Sequence, residues 1–503
     1  MNRCQDRLKS WLKDNYPYLV GLGLLVFVAY FNSLNNAFVA DDIPGILNKE
    51  NITEVSYIFA TPLVLARTFL NFTIANIFGR SPAAFRTVNI LFHLGNVWLL
   101  YLLLYILADR KTALFAAAIL VVHPLLTESV TWIAGGLYAQ YSFYILLGLV
   151  LYILFDEKQN KKLYYGSMIS FALALLTSEK AMAFPFLLLA LEIAYQGLKK
   201  NWERLIFPFV LGGTWILFFV GKISERQTIL QNTYYQTSQT NDALAQIPIA
   251  IASYLKLIFW PQDLTLYHSE MSFSAIEFYS HITICLVFLG LLVWMYKKNK
   301  PAFFWLSFFV IALAPTLAPF GVSWIVAERY VYLGAIGIFV VAAMEVKKIG
   351  ERLSNPNISY IILVPIILAL TARTIVRNLD WKNQDTLWLA TAKTSPSSPQ
   401  NHNNLGDLYG RRGDLERSAE EFRKAIELKP GYADAHHNLA NTYQQMGRID
   451  EAIENYQKAA ELNPQLWQSC QNLAAIYFER EEFELAKKWL EKAQETLNAG
   501  VGR

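Results

Sequence analysis

The sequence predicts an all-α protein, a polytopic membrane helix bundle followed by an α-solenoid of helix pairs. Three observations predict it. The 503 residues are 54% hydrophobic and only 17% charged, where average soluble domains carry about a quarter charged residues. Apolar segments recur along the first three-quarters of the chain. Beyond about residue 377 the composition turns polar and a fixed period sets in.

The apolar segments fall at 18–31, 84–107, 112–126, 131–155, 163–178, 181–196, 204–221, 247–260, 281–296, 301–319, 324–344 and 358–376. A crossing needs roughly 20 apolar residues, fewer when protein shields the helix. Basic clusters punctuate them: Arg3/Arg7/Lys9/Lys13, Arg110/Lys111, Lys158/Lys161/Lys162, Lys199/Lys200/Arg204, Lys297/Lys298/Lys300 and Lys347/Lys348/Arg352. Cytoplasmic loops collect such charge. Every cluster falls inside if one segment does not cross. The choice is 247–260, which is short, carries Lys256 and closes on Trp260-Pro261. About eleven crossings plus one re-entrant helix result, with the N-terminus cytoplasmic and the C-terminus outside. Twelve crossings with a cytoplasmic tail is the alternative. No Ala-x-Ala-like site follows the first apolar run, so it reads as an uncleaved span. The plasma (inner) membrane is the expected location. Cys4, Cys285 and Cys470 are too few and too scattered for a disulfide framework or a metal site.

In the polar tail Pro396, Pro430 and Pro464 are 34 residues apart, the period of the tetratricopeptide repeat. Leu405, Gly406, Tyr409, Gly413, Phe422, Ala425 and Pro430 recur as Leu439, Ala440, Tyr443, Gly447, Tyr456, Ala459 and Pro464. A weaker third copy has Leu473, Ala474, Tyr477, Leu490 and Ala493. Asp385-Thr386-Leu387-Trp388 lies where the second helix of a degenerate leading repeat belongs. The expected domains are 1–376 for the membrane part, 377–398 for a linker with this half-repeat, and 399–503 for the repeats. Such an array is either a stability or oligomerisation module or a groove for an extended acceptor or partner.

With this topology the polar groups that can do chemistry gather outside. Asp41 and Asp42 follow the first span. An outward carboxylate can serve as a general base, and a pair can instead hold a divalent cation or be a solvated loop. Arg86, Asn89, His93 and Asn96 share roughly one quarter of a helix face in the second span. They face the bundle interior or a wet cavity. The two Asn read as interhelical hydrogen-bonding groups, whereas Arg86 can meet an anion. His123-Pro124 with Glu128 and Trp132 interrupts a helix at the outer surface. Glu179-Lys180 reads as an ion pair. Arg329, beside Glu328 and among Trp324, Tyr330 and Tyr332, has the planar fork that suits a phosphate, or else pairs with Glu328.

These elements resemble one family. Asp41-Asp42 after the first span, Arg86…Asn89…His93, His123-Pro124…Thr127-Glu128-Ser129-Val130, Ser178-Glu179-Lys180 before Pro185, Ala327-Glu328-Arg329-Tyr330-Val331-Tyr332-Leu333, and Trp381 before the repeats occur in family order. The chain is similar to membrane glycosyltransferases with tetratricopeptide tails. These are related to the protein O-mannosyltransferases and broadly of the GT-C type; the short tail looks like that of a bacterial member. One stretch departs. After Trp132-Ile133 the family tends to continue with Gly-Arg and an acidic residue, and here Ala134-Gly135-Gly136-Leu137-Tyr138-Ala139-Gln140 stands.

The resemblance implies transfer of a monosaccharide from a polyprenyl-phosphate donor to a hydroxyl of a protein or glycan, with inversion. Asp41 or Asp42 is then the base. Arg329 stabilises the departing phosphate, with Arg86, His93 or Lys180, and His123, Glu128 and Glu179 complete the substrate site. No metal ligands are assigned and a divalent cation stays open as a cofactor; no nucleic-acid partner is expected, and the partners are the donor, the acceptor and membrane lipid. A nucleotide-sugar donor is disfavoured because no Gly-rich phosphate loop is present. Competing readings are a lipid-linked oligosaccharide ligase or polymerase, and a non-catalytic membrane scaffold.

Overall fold

The computed structural model describes residues 11–196, 202–233, 243–271, 273–317, 325–355 and 357–501. Arg3, Arg7, Lys9, Lys199, Lys200, Trp324 and part of the expected outer loop 222–246 lie outside these. Among the described residues there is no strand. In hydrocarbon each backbone group needs a partner within its own segment, which leaves the helix as the form for these apolar runs.

Among the described residues six helical stretches are long and apolar enough to cross a membrane: Trp11–Ser33, Pro82–Leu107, Ala134–Asp156, Ala275–Lys298, Glu328–Arg352 and Ile358–Asp380. A seventh is a broken one, Arg110–Val122 with Pro124–Val130, bent by 56°. The break is at His123-Pro124, where proline removes a donor and crowds the preceding turn. Pro62–Phe78, Ala245–Phe259 and Lys300–Thr316 are shorter apolar helices. The segment expected to be re-entrant is the helix Ala243–Phe259, with Pro248 inside it. Helix starts follow local chemistry. Ser81 caps Pro82–Leu107 by accepting from the Ala84 N–H, with proline at the first position. Asp109 caps Arg110–Val122 through the Lys111 and Thr112 N–H groups.

The ends of the first and last spans are stapled together. Asn378 Nδ2 donates to Ala29 O at 2.8 Å and to Asn32 Oδ1 at 2.7 Å. Asn32 and Asn36 donate back to Ile375 O and Asn378 O at 2.8 and 2.9 Å, and the Ala37 N–H reaches Lys382 O at 2.8 Å. Thr131 adds a bond to Asn378 Oδ1 at 2.7 Å. Both spans therefore end on one face of the bundle. That face also carries Asp41 and Asp42.

The C-terminal unit is a run of antiparallel helix pairs: Pro399–Arg411 with Leu415–Leu428, Ala433–Gln445 with Ile449–Leu462, and Trp467–Glu479 with Phe483–Val501. The helix Gln384–Thr394 precedes them. Phe422, Tyr443, Tyr456 and Tyr477 fill the core between pairs. Gly413 and Gly447 turn the chain between paired helices at φ 79° and 77°, a region open to glycine. In the third pair Glu481 holds that position at φ 62°. A left-handed non-glycine residue costs about 1–2 kcal/mol, which matches the weaker sequence signal of this copy.

Candidate active site

The corner after the first span divides the work of its two carboxylates. Ala40 sits at φ 48°, left-handed without being glycine. Strain of this kind persists only where neighbours over-determine it, and here they do. The Val39 N–H donates to Asp42 Oδ2 at 3.2 Å and the Ala134 N–H to Asp42 Oδ1 at 2.7 Å. The Ile43 N–H closes on Ala40 O at 3.1 Å, and a π-helical turn, Ile43–Leu47, follows. Asp42 is 0% exposed. Burial pushes its pKa up to about 7 against the pull of the Val39 and Ala134 N–H groups and the Arg86 guanidinium, with the neighbouring Asp41 charge adding to the rise. Asp41, one residue earlier, is exposed. Asp42 thus ties the corner to the Trp132–Ala134 segment, and Asp41 is the exposed carboxylate of the pair.

Arg86 lies beneath this corner and is fully buried. Its Nε donates to Thr131 O at 2.7 Å. Nη1 donates to Asn36 O at 2.7 Å and Leu34 O at 3.3 Å, and Nη2 to Ala37 O at 3.1 Å. Four of its five N–H donors are spent on backbone carbonyls. Arg86 was expected to meet a donor phosphate; in this structure the guanidinium is the post on which the 34–37 turn is hung.

Arg329 forms the second cluster. Its backbone N–H donates to Glu128 Oε2 at 2.7 Å, and its Nη1 is paired with Glu128 Oε1. The guanidinium packs on the Trp132 ring at 5.5 Å and the Tyr330 ring at 5.0 Å. The alternative pairing with Glu328 is not the one formed. Glu328 is buried, accepts from the Thr265 N–H and pairs with Arg377 Nη2 at 3.2 Å. Lys180 is paired with Glu179 at 2.6 Å and lies over the Tyr138 and Tyr330 rings at 5.5 and 5.7 Å. Burial works against the charge on Lys180, but Tyr138 and Glu179 outweigh it and hold its pKa above the usual ammonium range. Two cations, each backed by one carboxylate, therefore share the Tyr330 ring. Arg329 keeps one edge of its fork open: among the described residues it donates from Nη1 and its backbone N–H only.

Trp132 joins corner and cluster. Its Nε1 donates to Val39 O at 3.3 Å, and its ring stacks on Trp381 at 5.6 Å. The Arg377 guanidinium lies 5.8 Å from the Trp381 ring. Asp41, Asp42, Glu128, Glu179, Lys180 and Arg329 therefore belong to one connected region.

The two histidines do not reach it. His93 Nδ1 is 2.7 Å from Tyr332 Oη, deep in the bundle. Asn96 also donates to that hydroxyl, at 3.0 Å, and to Ala139 O at 2.8 Å. His123 Nδ1 accepts from the Leu125 N–H at 3.3 Å, so Nε2 carries the proton and donates to Ile258 O at 2.8 Å. Both histidines, expected at the donor, are hydrogen-bonded to neighbouring segments of the bundle. Arg377 and Asn378 were missed because the last span was read as ending at 376. The signal was an arginine, an asparagine and Asp380 at the rim of an otherwise apolar helix.

Comparison with known proteins fits this arrangement. Residues 64–223 match the dolichyl-phosphate-mannose-protein mannosyltransferase family, and tetratricopeptide repeat families match 406–447, 433–466 and 468–496. The protein O-mannosyl-transferase F38B6.6 of Caenorhabditis elegans is 24% identical over 81% of this chain and 62% of its own length. The protein O-mannosyl-transferase TMTC3 of Homo sapiens is 23% identical over 81% of this chain and 51% of its own. The chain is thus an integral membrane protein similar to proteins that join a mannosyltransferase segment to tetratricopeptide repeats. The curated relatives it matches over most of its length are named protein O-mannosyl-transferases, and it spans about half to three-fifths of their length.

Proposed function

We propose that this chain is a membrane glycosyltransferase that moves a monosaccharide from a polyprenyl-phosphate donor to a hydroxyl of a protein or glycan on the extracytoplasmic side. The observation that carries the reading is the division between Asp41 and Asp42, one open and one tied down, in a region that also holds Arg329 and Lys180. Asp41 accepts the proton of the acceptor hydroxyl as its oxygen attacks the anomeric carbon. The bond from that carbon to the phosphate oxygen breaks, and the electron pair leaves with the phosphate. Attack opposite the leaving group inverts the centre. Arg329 and Lys180 receive the developing charge in a partly dry site, where such pairing is strongest. Glu128 and Glu179 hold these cations in place, and Asp42 and Arg86 position the corner. The N-terminus is cytoplasmic, and the repeats offer an acceptor or partner an extended groove outside.

The test is Asp41→Asn, which keeps shape and removes the base. Sugar transfer to a co-expressed secreted protein, read as added hexose mass, is expected to fall about 10²–10⁴-fold while dolichyl phosphate still binds. Undiminished transfer would remove Asp41 from the role.

A further inference from the structure

Arg329 pairs with Glu128, 201 residues away, and not with its neighbour Glu328. The choice is made inside a buried group of charges. Glu128 and Glu328 are both 0% exposed, Arg377 is buried, and Arg329 keeps 14% of its side chain exposed. Glu128 and Glu328 are near enough for their charges to oppose one another, and Arg377 is within electrostatic reach of both. A buried carboxylate that loses its cation leaves an uncompensated charge, which is costly. Each anion therefore claims a cation, and the way the two cations are shared decides what Arg329 has left to offer.

Arg377 settles the sharing. At the rim of the last span its Nη2 donates to Glu328 Oε1 and Oε2 at 3.2 and 3.3 Å, and its Nη1 to Asp380 Oδ2 at 2.9 Å. Its guanidinium lies 5.8 Å from the Trp381 ring, which stacks on Trp132, and Trp132 in turn carries the Arg329 guanidinium at 5.5 Å. With Glu328 held by Arg377 and by the Thr265 N–H, Arg329 gives only Nη1 and its backbone N–H, both to Glu128. Among the described residues the other edge of its fork is unspent. That edge belongs to the residue next to Glu328, so it is the donor set that an orphaned Glu328 would claim.

Resting on the glycosyltransferase reading, we infer that Arg377 is a positioning residue for sugar transfer: by occupying Glu328 it keeps the second edge of the Arg329 fork free for the donor phosphate. A planar guanidinium suits this division, since its two edges can serve two anionic groups at once. Glu128 takes one edge and the phosphate the other. A fork clamped between Glu128 and Glu328 would instead present an incoming phosphate with two carboxylates around one cation, a net negative site.

The experiment measures dolichyl phosphate binding to the purified full chain, with a cooperative thermal transition in detergent as the folding control. Arg377→Met is expected to weaken binding about tenfold, the size of one charged hydrogen bond. Arg377→Lys, whose ammonium still neutralises Glu328, should stay within about threefold of the wild type. The decisive comparison is made without the fork. In an Arg329→Met background, adding Arg377→Met should weaken binding no further, because the edge it protects is gone; two independent losses would multiply to about a hundredfold. If Arg377→Met yields no folded protein, Arg377→Gln, which can still donate a hydrogen bond to Glu328, carries the same expectations. Unchanged binding in the charge-removing Arg377 variant overturns the inference. So do losses that multiply, which would make Arg377 a tie acting independently of Arg329. An Arg329→Met protein that binds like the wild type overturns the phosphate role of Arg329, and a wild type that binds no dolichyl phosphate overturns the donor reading itself.

Discussion

Arg86 gives the sharpest test of the structure against the sequence expectation. Replacing it with Met keeps most of the volume and removes the guanidinium. Four backbone carbonyls then lose a donor, but not equally. Those of Thr131 and Asn36 are bonded at 2.7 Å in buried surroundings, and those of Leu34 and Ala37 at 3.3 and 3.1 Å where water can reach. The outer pair exchanges protein for water and contributes little. The inner pair loses charge-assisted bonds of ~1.5–3 kcal/mol each with no replacement. The buried Asp42 also loses its nearest opposite charge. A destabilisation of about 3–5 kcal/mol follows, the range for breaking a buried charged tie. Arg86→Lys, with one ammonium for four divergent carbonyls, should recover only part of it. The assay is thermal unfolding of the purified protein in detergent, run beside dolichyl phosphate binding. An Arg86→Met protein that melts like the wild type yet no longer binds dolichyl phosphate would refute the carbonyl cradle and restore Arg86 as an anion ligand.

Two further outcomes are expected. Asp42 titrates at about 7 when the corner is closed and near 3.8 when it is open, so the closed state holds the extra proton between these values. Its contribution to closure is complete below the lower value and is lost as pH rises through the upper one. Exchange of the Ala134 amide, corrected for its intrinsic rate, should increase from about pH 4 to about pH 7 and lose this dependence in Asp42→Asn; a flat wild-type profile would contradict the buried acid. In the repeats, a Cβ at Gly406 would lie 2.6 Å from the buried Phe422 ring, and Gly406→Ala should cost ~1–3 kcal/mol by overpacking. Unchanged resistance of the repeats to limited proteolysis would count against that close crossing.

Period and hydropathy made the fold class readable because both are collective. Dozens of residues vote for a span, and seven matched positions in two copies define a repeat. The cluster of Glu128, Lys180 and Arg329 was legible for a similar reason: charged side chains at the rim of apolar segments have few places to go. Individual roles were not legible. Asp41 and Asp42 are the same residue type in adjacent positions, and only the Val39 and Ala134 N–H groups tell them apart. Arg86, His93 and His123 were read as ligands because an intramembrane polar group has either a ligand or a partner, and sequence names no partner. Theirs are carbonyls and a tyrosine hydroxyl between 28 and 239 residues away, apart from the Leu125 N–H two residues from His123.

The staple at Asn378 also sets an order of assembly. The 34–37 turn needs Arg86 from the second span, yet its other anchors are Asn378 and Lys382, more than 340 residues further along the chain. Trp132 and Glu328 likewise complete their contacts on Trp381 and Arg377. While the ribosome is still making the middle spans, the Asp41 corner has a floor but no wall. The last span enters as a keystone, and it does so just before the repeats are synthesised. A protein built this way stays open at Asp41 throughout insertion and closes that corner only when the membrane part is complete.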